Sequence, residues 1–488
     1  MKTAIYRLIL ATTILASGYT YAHAESAFAT TPQSEFRGSV RASSQERGTP
    51  IYSGSDIVLS GDNFAPGQEV TIWYGATQLT TEPVRADGDG KFSWKTTIPD
   101  DASIGQHQLI VNAEKPTASA IFNVKVSPKI DLVGADKFEL TGSKLVRGLY
   151  QAAYSAKNDD LFVTSAVGRP PVKESALLRI DPATLQIEAQ INPAAAPAPE
   201  RRSGAAPAGA DEEGAAAGGG QQRGQREPGV FAVYGVGVDD SKDTVWVTNT
   251  RQNTVAVYKQ SDLSLVKQFD PGLIGHPRDV VVDEARGRAY VSSARNNVVA
   301  VIDTGSLEII KNIEIRSSKR GREQFGTASL ALDKDSSKLF TVSLTTNELA
   351  IIYLETEEVN KVIPVKDALS AIGVAYDPET KRAFIASQGS DNLSIVDTES
   401  GETLHSVPVG AGSLSVTYDP VNKVAFVSNR GAGTVTAVSP DGQIVANLDG
   451  GSNPNHIIAD GKGHVYAINK SRGEDDPTGD RISRIDTK

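Results

Sequence analysis

Beyond about residue 50 the chain reads as a succession of short alternations of apolar and polar positions rather than as helical faces. Runs rich in Val, Ile, Phe and Thr are punctuated by Asp, Asn and Gly, the period-two signature of half-buried strands joined by tight turns. From Pro50 to Ser127 the runs at Ile57–Leu59, Val70–Ile72, Phe92–Trp94, His107–Val111 and Phe122–Val126 are separated by turn signals such as Pro66-Gly67 and Asp89-Gly90. Their spacing predicts a small β-sandwich over 49–127.

From about residue 130 onward the same alternation acquires a long period. An apolar–Asp step recurs at Asp239, Asp283, Asp333, Asp377, Asp419 and Asp460, at intervals of 41 to 50 residues, with a further copy upstream at Tyr154-Ser155. Each copy is followed by a second strand (LFVTS, VWVTN, AYVSS, LFTVS, AFIAS, AFVSN, VYAIN), and several by a clear third, such as VAVID and LSIVD. Repeats of this length that cannot bury their faces alone must stack, and seven four-stranded units predict a seven-bladed β-propeller over 130–488. The last copy stops after its third strand. The alternating segment Lys137–Val146, just before the first copy, is therefore expected to supply the missing outer strand and close the ring.

The ends and one interruption differ in composition. Lys2 and Arg7, an apolar run from Leu8 to Ala16 and the sequence Ala22-His23-Ala24 read as a signal peptide over 1–24, which predicts a periplasmic location. Residues 25–48 read as a flexible lead-in. An Ala/Gly/Pro/Gln-rich insertion at 194–228 separates the first two copies and is too poor in large apolar residues to fold alone. No later run is long enough for a membrane-spanning helix. The chain contains no cysteine, which excludes disulfides, thiolate metal sites and thiol nucleophiles.

A formal net charge of -10 argues against a uniformly cationic surface, but the repeat sorts charge by face. In a propeller blade the loops entering the first strand and those joining the second to the third share one face, here called the top. That assignment places Arg169, Arg251, Arg278, Arg295, Arg430, Lys470, Arg472 and the run Arg316-Ser317-Ser318-Lys319-Arg320-Gly321-Arg322 on top, with Glu348, Asp391 and 474–476 among them. Asp303, Glu308, Glu355, Glu357, Glu358, Asp397, Glu399, Glu402 and Asp441 fall on the bottom. The ligand-binding candidates are Tyr150, Tyr234, Arg251, Arg278, Arg295, Arg316, Lys319, Arg320, Arg322, Arg430 and His456: cations for phosphates, aromatic rings for stacking on unpaired bases. Solvated loops also favour charge, and top-face Asn residues are equally suited to left-handed turn positions.

The enzyme motifs are sparse. Among six histidines, His276 and His456 fall where they would face the channel mouth, with Asp279 as a nearby carboxylate, an arrangement a metal-assisted lyase would need. No His-x-x-x-His pair, nucleophile elbow, phosphate loop or dinucleotide fingerprint is present. Asp87-Gly88-Asp89-Gly90 opens like a calcium loop, but its twelfth position is Ile98, which favours a hairpin turn. No catalytic residue, metal or cofactor is expected, and the reading is of a non-enzymatic protein.

Two resemblances sharpen this picture. GDNFAPGQEVTIWYG followed by DGDGKFSWKTTIPDDASIGQHQLIVNA resembles the immunoglobulin-like domains of exported bacterial proteins. RAYVSSARNNVVAVIDTGSLEIIKNIEI and RAFIASQGSDNLSIVDTESGETLHSVPVG closely resemble the YVTN β-propeller repeats of the YncE family. The second resemblance implies single-stranded DNA binding at the top face. The expected partner is accordingly single-stranded DNA or another polyanion, with a cell-envelope protein partner (a scaffold role) and the metal-assisted lyase as alternatives.

Overall fold

The computed structural model describes residues 35–197 and 228–488. The expected signal peptide, much of the lead-in and most of the 194–228 insertion lie outside the described residues. The described chain is all-β, with a single 3-10 turn at Thr250–Gln252, and none of its helices is long and apolar enough to cross a membrane. Contacts divide it into two compact units. One is centred on Val58–Lys95 and His107–Val124; the other holds Lys125–Lys488 together with Ser43–Ile57 and Thr96–Gln106.

The N-terminal strands form one three-stranded and one five-stranded sheet, the latter with antiparallel pairings about Glu69–Tyr74. Asp56–Asp62 and Glu69–Tyr74 bury alternate residues, Ile57, Leu59, Val70 and Ile72 among them, as the sequence pattern requires. Ser39–Ser44 is also a strand, where a flexible lead-in was expected. Its side chains alternate between exposed and half-buried, and Val40 and Ala42 are its only apolar ones, so it carries little apolar signal.

From Leu149 onward, seven four-stranded antiparallel sheets follow one another, at 149–191, 236–268, 277–314, 327–364, 371–408, 413–449 and 454–487. The fourth strand of the last is Phe138–Lys144, which pairs antiparallel with Arg481–Thr487 from Phe138↔Thr487 to Lys144↔Arg481. The closing strand thus lies where the incomplete final repeat predicts it. The first strands of successive sheets touch in order, and that of the seventh touches that of the first.

The recurrent Asp has a local job. At the end of the first strand its carboxylate accepts hydrogen bonds from amides of the following turn: Arg286 to Asp283, Asp335 and Ser336 to Asp333, Glu379 to Asp377, Val421 to Asp419, Lys462 and His464 to Asp460. Such Asx turns satisfy amides that no strand reaches and fix the hairpin. Four residues beyond the Asp, the chain enters the left-handed region at Asp243, Gly287, Ser337, Lys381 and Lys423.

The core repeats as well. The third residue of each second strand is aromatic: Phe162, Trp246, Tyr290, Phe340, Phe384, Phe426 and Tyr466, all within 2% of full burial. Each joins an apolar cluster with the next sheet. Phe162 packs with Val236 and Val245, Phe340 with Ile372 and Val374, and Tyr466 with Leu149 and Leu161 of the first sheet. One large ring per interface, each stabilising by roughly 1.5–3 kcal/mol relative to exposure, cements every sheet to its successor around the circuit.

Candidate functional site

Six of the seven first strands share an irregularity. In six sheets an extra residue follows the opening pair: between Leu149 and Ala152, Pro277 and Val280, Thr327 and Leu330, Ala371 and Gly373, Ser413 and Ser415, and Pro454 and His456. A β-bulge re-aims the side chain it carries, and here the bulges turn Tyr150 and Gln151, Arg278, Ser329, Ile372, Leu414 and Asn455 toward one central cavity of about 460 Å³. A second tier comes from the residue just past the second strand: Thr250, Ala294, Leu344, Gln388 and Arg430. The cavity mouth is therefore assembled from every sheet of the ring, two or three residues at a time.

Tyr150, Tyr234, Arg251, Arg278, Arg430 and His456, all named from sequence, line this mouth. A chain of contacts ties several of them together. Arg430 Nη1 donates to Asn455 Oδ1 at 3.1 Å, and Asn455 Nδ2 donates to the Tyr150 carbonyl at 2.7 Å. Lys470 Nζ sits 3.5 Å from the centroid of the Tyr150 ring, a cation–π contact, and the Tyr234 ring meets Tyr150 edge-on at 4.6 Å. With one face under Lys470 and one side against Tyr234, which is itself buried, the tyrosine pair is built as a packed wall.

The two channel histidines differ in their surroundings. The Ala152 amide donates to His456 Nδ1 at 3.3 Å, which leaves Nε2 as the protonated nitrogen of a neutral ring. Burial, and after it the positive charge of Arg278, pushes His456 down to about 3, so it is neutral at pH 7 and offers a hydrogen bond, not a charge. His276 is in the left-handed region at φ 51°, and its amide donates to Asn253 Oδ1 at 2.7 Å.

Asp279, beside Arg278 in its bulge, accepts from the amides of Val280 at 3.0 Å and Leu330 at 2.9 Å, stitching the third sheet to the fourth. Burial pushes its carboxyl up to about 6 against the opposing pull of those amides and Arg278. Among the described residues no group of three His, Asp or Glu side chains comes close enough to hold a metal ion.

The other five candidates lie outside the mouth. Arg295 is exposed, one residue beyond Ala294. In the 316–322 segment, Arg316 faces Glu314 at 3.5 Å with both side chains largely exposed, and Lys319 Nζ donates to the Thr346 carbonyl. Ser318 donates through its amide and its hydroxyl to the buried Glu348, at 2.9 and 2.5 Å, which pins the segment; Arg320 and Arg322 are exposed. Sequence reasoning did not single out Gln151, Thr250, Gln388 or the apolar lining residues Leu344, Ile372 and Leu414. Register comparison could have found most of them: Thr250, Leu344 and Gln388 stand where Arg430 does in its repeat, and Ile372 and Leu414 stand where Arg278 does, whereas Gln151 matches Asp279.

No protein-family profile matches the sequence, and no curated protein matches it either. Solved structures do. Hydrazine synthase of Kuenenia stuttgartiensis matches at TM-score 0.51 and 15% identity, over 66% of this chain and 92% of that one. Virginiamycin B lyase from Staphylococcus aureus matches at TM-score 0.51 and 12% identity, over 72% of this chain and 100% of that one. A streptogramin B lyase matches at TM-score 0.52 and 11% identity, over 73% and 100%. At these identities the likeness shows the fold alone: an all-β, propeller-like protein.

The comparisons correct the expectation of a non-enzymatic protein, since the matched structures are named as enzymes. The expectation rested on missing linear motifs. A ring that contributes two or three residues per repeat assembles its site from residues tens of positions apart, so the absence of a contiguous motif carries no weight against catalysis.

Proposed function

We propose that this is an extracytoplasmic seven-bladed β-propeller of YVTN type, preceded by an immunoglobulin-like sandwich, and that the mouth of its ring binds an anionic ligand. The observation that carries the reading is the convergence of Arg251, Arg278 and Arg430 on one cavity, with no carboxylate among its lining residues. Guanidinium groups in a recessed, partly dehydrated site favour carboxylate, sulfonate and phosphate oxygens, which they meet in planar, bidentate fashion. Neutral His456, Asn455 and Gln151 add polar groups that fix orientation without adding charge. The signal-like N-terminus supports the location.

Single-stranded DNA, threaded from the mouth across Arg295 and the 316–322 segment, is a second form of the same reading, favoured by the exposure of Arg320 and Arg322. Calorimetric titration with tripolyphosphate, with a short oligothymidylate and with duplex DNA of equal charge tests both. The mouth reading expects tripolyphosphate to bind and to compete with the oligonucleotide. Binding of the oligonucleotide that tripolyphosphate does not displace would move the site to the outer segment. No salt-sensitive binding of any of the three at low ionic strength overturns the anion reading.

A further inference from the structure

The lining residues are not scattered around the mouth at random. Passing around the ring from the sixth sheet through the seventh, first and second to the third, the cavity meets Arg430, His456, Tyr150, Arg251 and Arg278. Passing the other way, the fourth and fifth sheets supply Leu344 and Ile372 beside the uncharged Ser329 and Gln388, and this stretch is flanked by Ala294 of the third sheet and Leu414 of the sixth. The cavity has a cationic arc and an apolar arc.

This division is not imposed by the fold. Ile372 and Leu414 sit in the same bulge position as Arg278, and Leu344 sits one residue past its second strand, as Arg430 does. One backbone register therefore accepts either kind of side chain. Ile372 and Leu414 extend the apolar cluster of Phe340, Val374 and Ile385 up to the cavity wall, and Leu344 packs on the same cluster while remaining half-exposed. A cavity meant only for small hydrated anions gains nothing from such a wall, because apolar surface facing confined water is unfavourable until something covers it.

We propose that the ligand of the mouth is an amphipathic anion: an organic carboxylate, sulfonate or phosphate ester whose charged group meets Arg251, Arg278 and Arg430 and whose hydrocarbon part covers Leu344, Ile372 and Leu414. The inference rests on the anion-binding reading above and adds the chemistry of the rest of the ligand. A volume of about 460 Å³ falls in the size range of clefts that enclose a compact organic molecule.

The test is calorimetry on the full chain with ethane-, butane-, hexane- and octanesulfonate, which keep one charge at every working pH, beside octylammonium and 1-octanol. Affinity is expected to rise roughly threefold to fourfold per methylene buried, and octanesulfonate is expected to bind at least tenfold tighter than octylammonium or octanol. Leu344→Asn should lower the gain in affinity per methylene, whereas Arg278→Gln should weaken the whole series without changing that gain. The half-exposed Leu344 is chosen so that folding survives, and the series on the unsubstituted protein decides the matter without any variant. Equal affinity for ethane- and octanesulfonate overturns the amphipathic ligand and leaves the anion site standing, as does an unchanged slope in Leu344→Asn. No binding of any sulfonate at low ionic strength removes the anion site itself.

Discussion

Two basic regions of this protein look alike in composition and opposite in consequence. The 316–322 segment packs four cations into seven residues, yet its charges spread outward: Arg316 faces Glu314, Lys319 reaches the Thr346 carbonyl, and Arg320 and Arg322 lie exposed. Arg251, Arg278 and Arg430 come from three different repeats and share one cavity. Density along a chain produces a local field that solvent screens within about 8 Å at physiological salt. Convergence in a recessed site produces interactions that water cannot dilute as easily. In a closed ring the second arrangement costs no special motif, since every repeat delivers residues from the start of its first strand and from the loop after its second strand to the centre.

Convergence depends on closure, so the largest effect should come from opening the ring. Deleting Phe138–Lys144 removes the outer strand of the seventh sheet, exposes the edge of Arg481–Thr487 and withdraws Phe138 from the cluster around Phe426. The expected outcome is aggregation or loss of a cooperative melting transition, with loss of anion binding at the mouth. A deletion variant that melts like the parent would contradict the pairing.

The next test sets the two basic regions against each other. Charge-assisted hydrogen bonds contribute about 1.5–3 kcal/mol, so Arg278→Gln or Arg430→Gln should weaken binding of a small anion about 10- to 100-fold. Changing Arg320 and Arg322 together to Gln should change it less than about threefold, because exposed charges contribute little. Melting temperatures of the exposed double variant should stay near that of the parent. If that double variant loses more affinity than Arg278→Gln, the outer segment is the site and the mouth is not.

What was legible in the sequence followed from repetition. Asp283, Asp333, Asp377 and Asp419 marked the repeat, and they recur because an Asx turn needs a carboxylate at a fixed place. The truncated last repeat pointed to Phe138–Lys144. Six of the eleven proposed binding residues reach the mouth because loop position alone places Arg251 and Arg430 there. The apolar arc was open only to register comparison with the Arg-bearing repeats: Ile372 and Leu414 look like ordinary strand residues, and it is the bulge they share with Arg278 that turns them toward the cavity. Arg316 and Lys319 were named for their charge, and charge does not reveal that Glu314 and the Thr346 carbonyl would engage them.

The smallest expected effect isolates the electrostatics of the cationic arc. Burial raises the Asp279 carboxyl to about 6, and Arg278 alongside it is one of the opposing influences. Above that pH Asp279 is an anion that offsets part of the Arg278 charge; below it the carboxyl is neutral and that offset is gone. Affinity for an alkanesulfonate, whose own charge does not change, should therefore rise a few-fold as pH falls from about 7 to about 5. His456, held near 3, remains neutral over that range and adds nothing. Folding runs in the same sense: a carboxyl whose folded pKa is raised contributes stability that is fully present below its unfolded value and is lost as pH rises through about 6. Asp279→Asn fixes the side chain in a neutral state and should abolish the pH dependence of binding while holding affinity near its low-pH value. A variant that keeps the parent's pH profile would assign the titration to another group and separate Asp279 from the site.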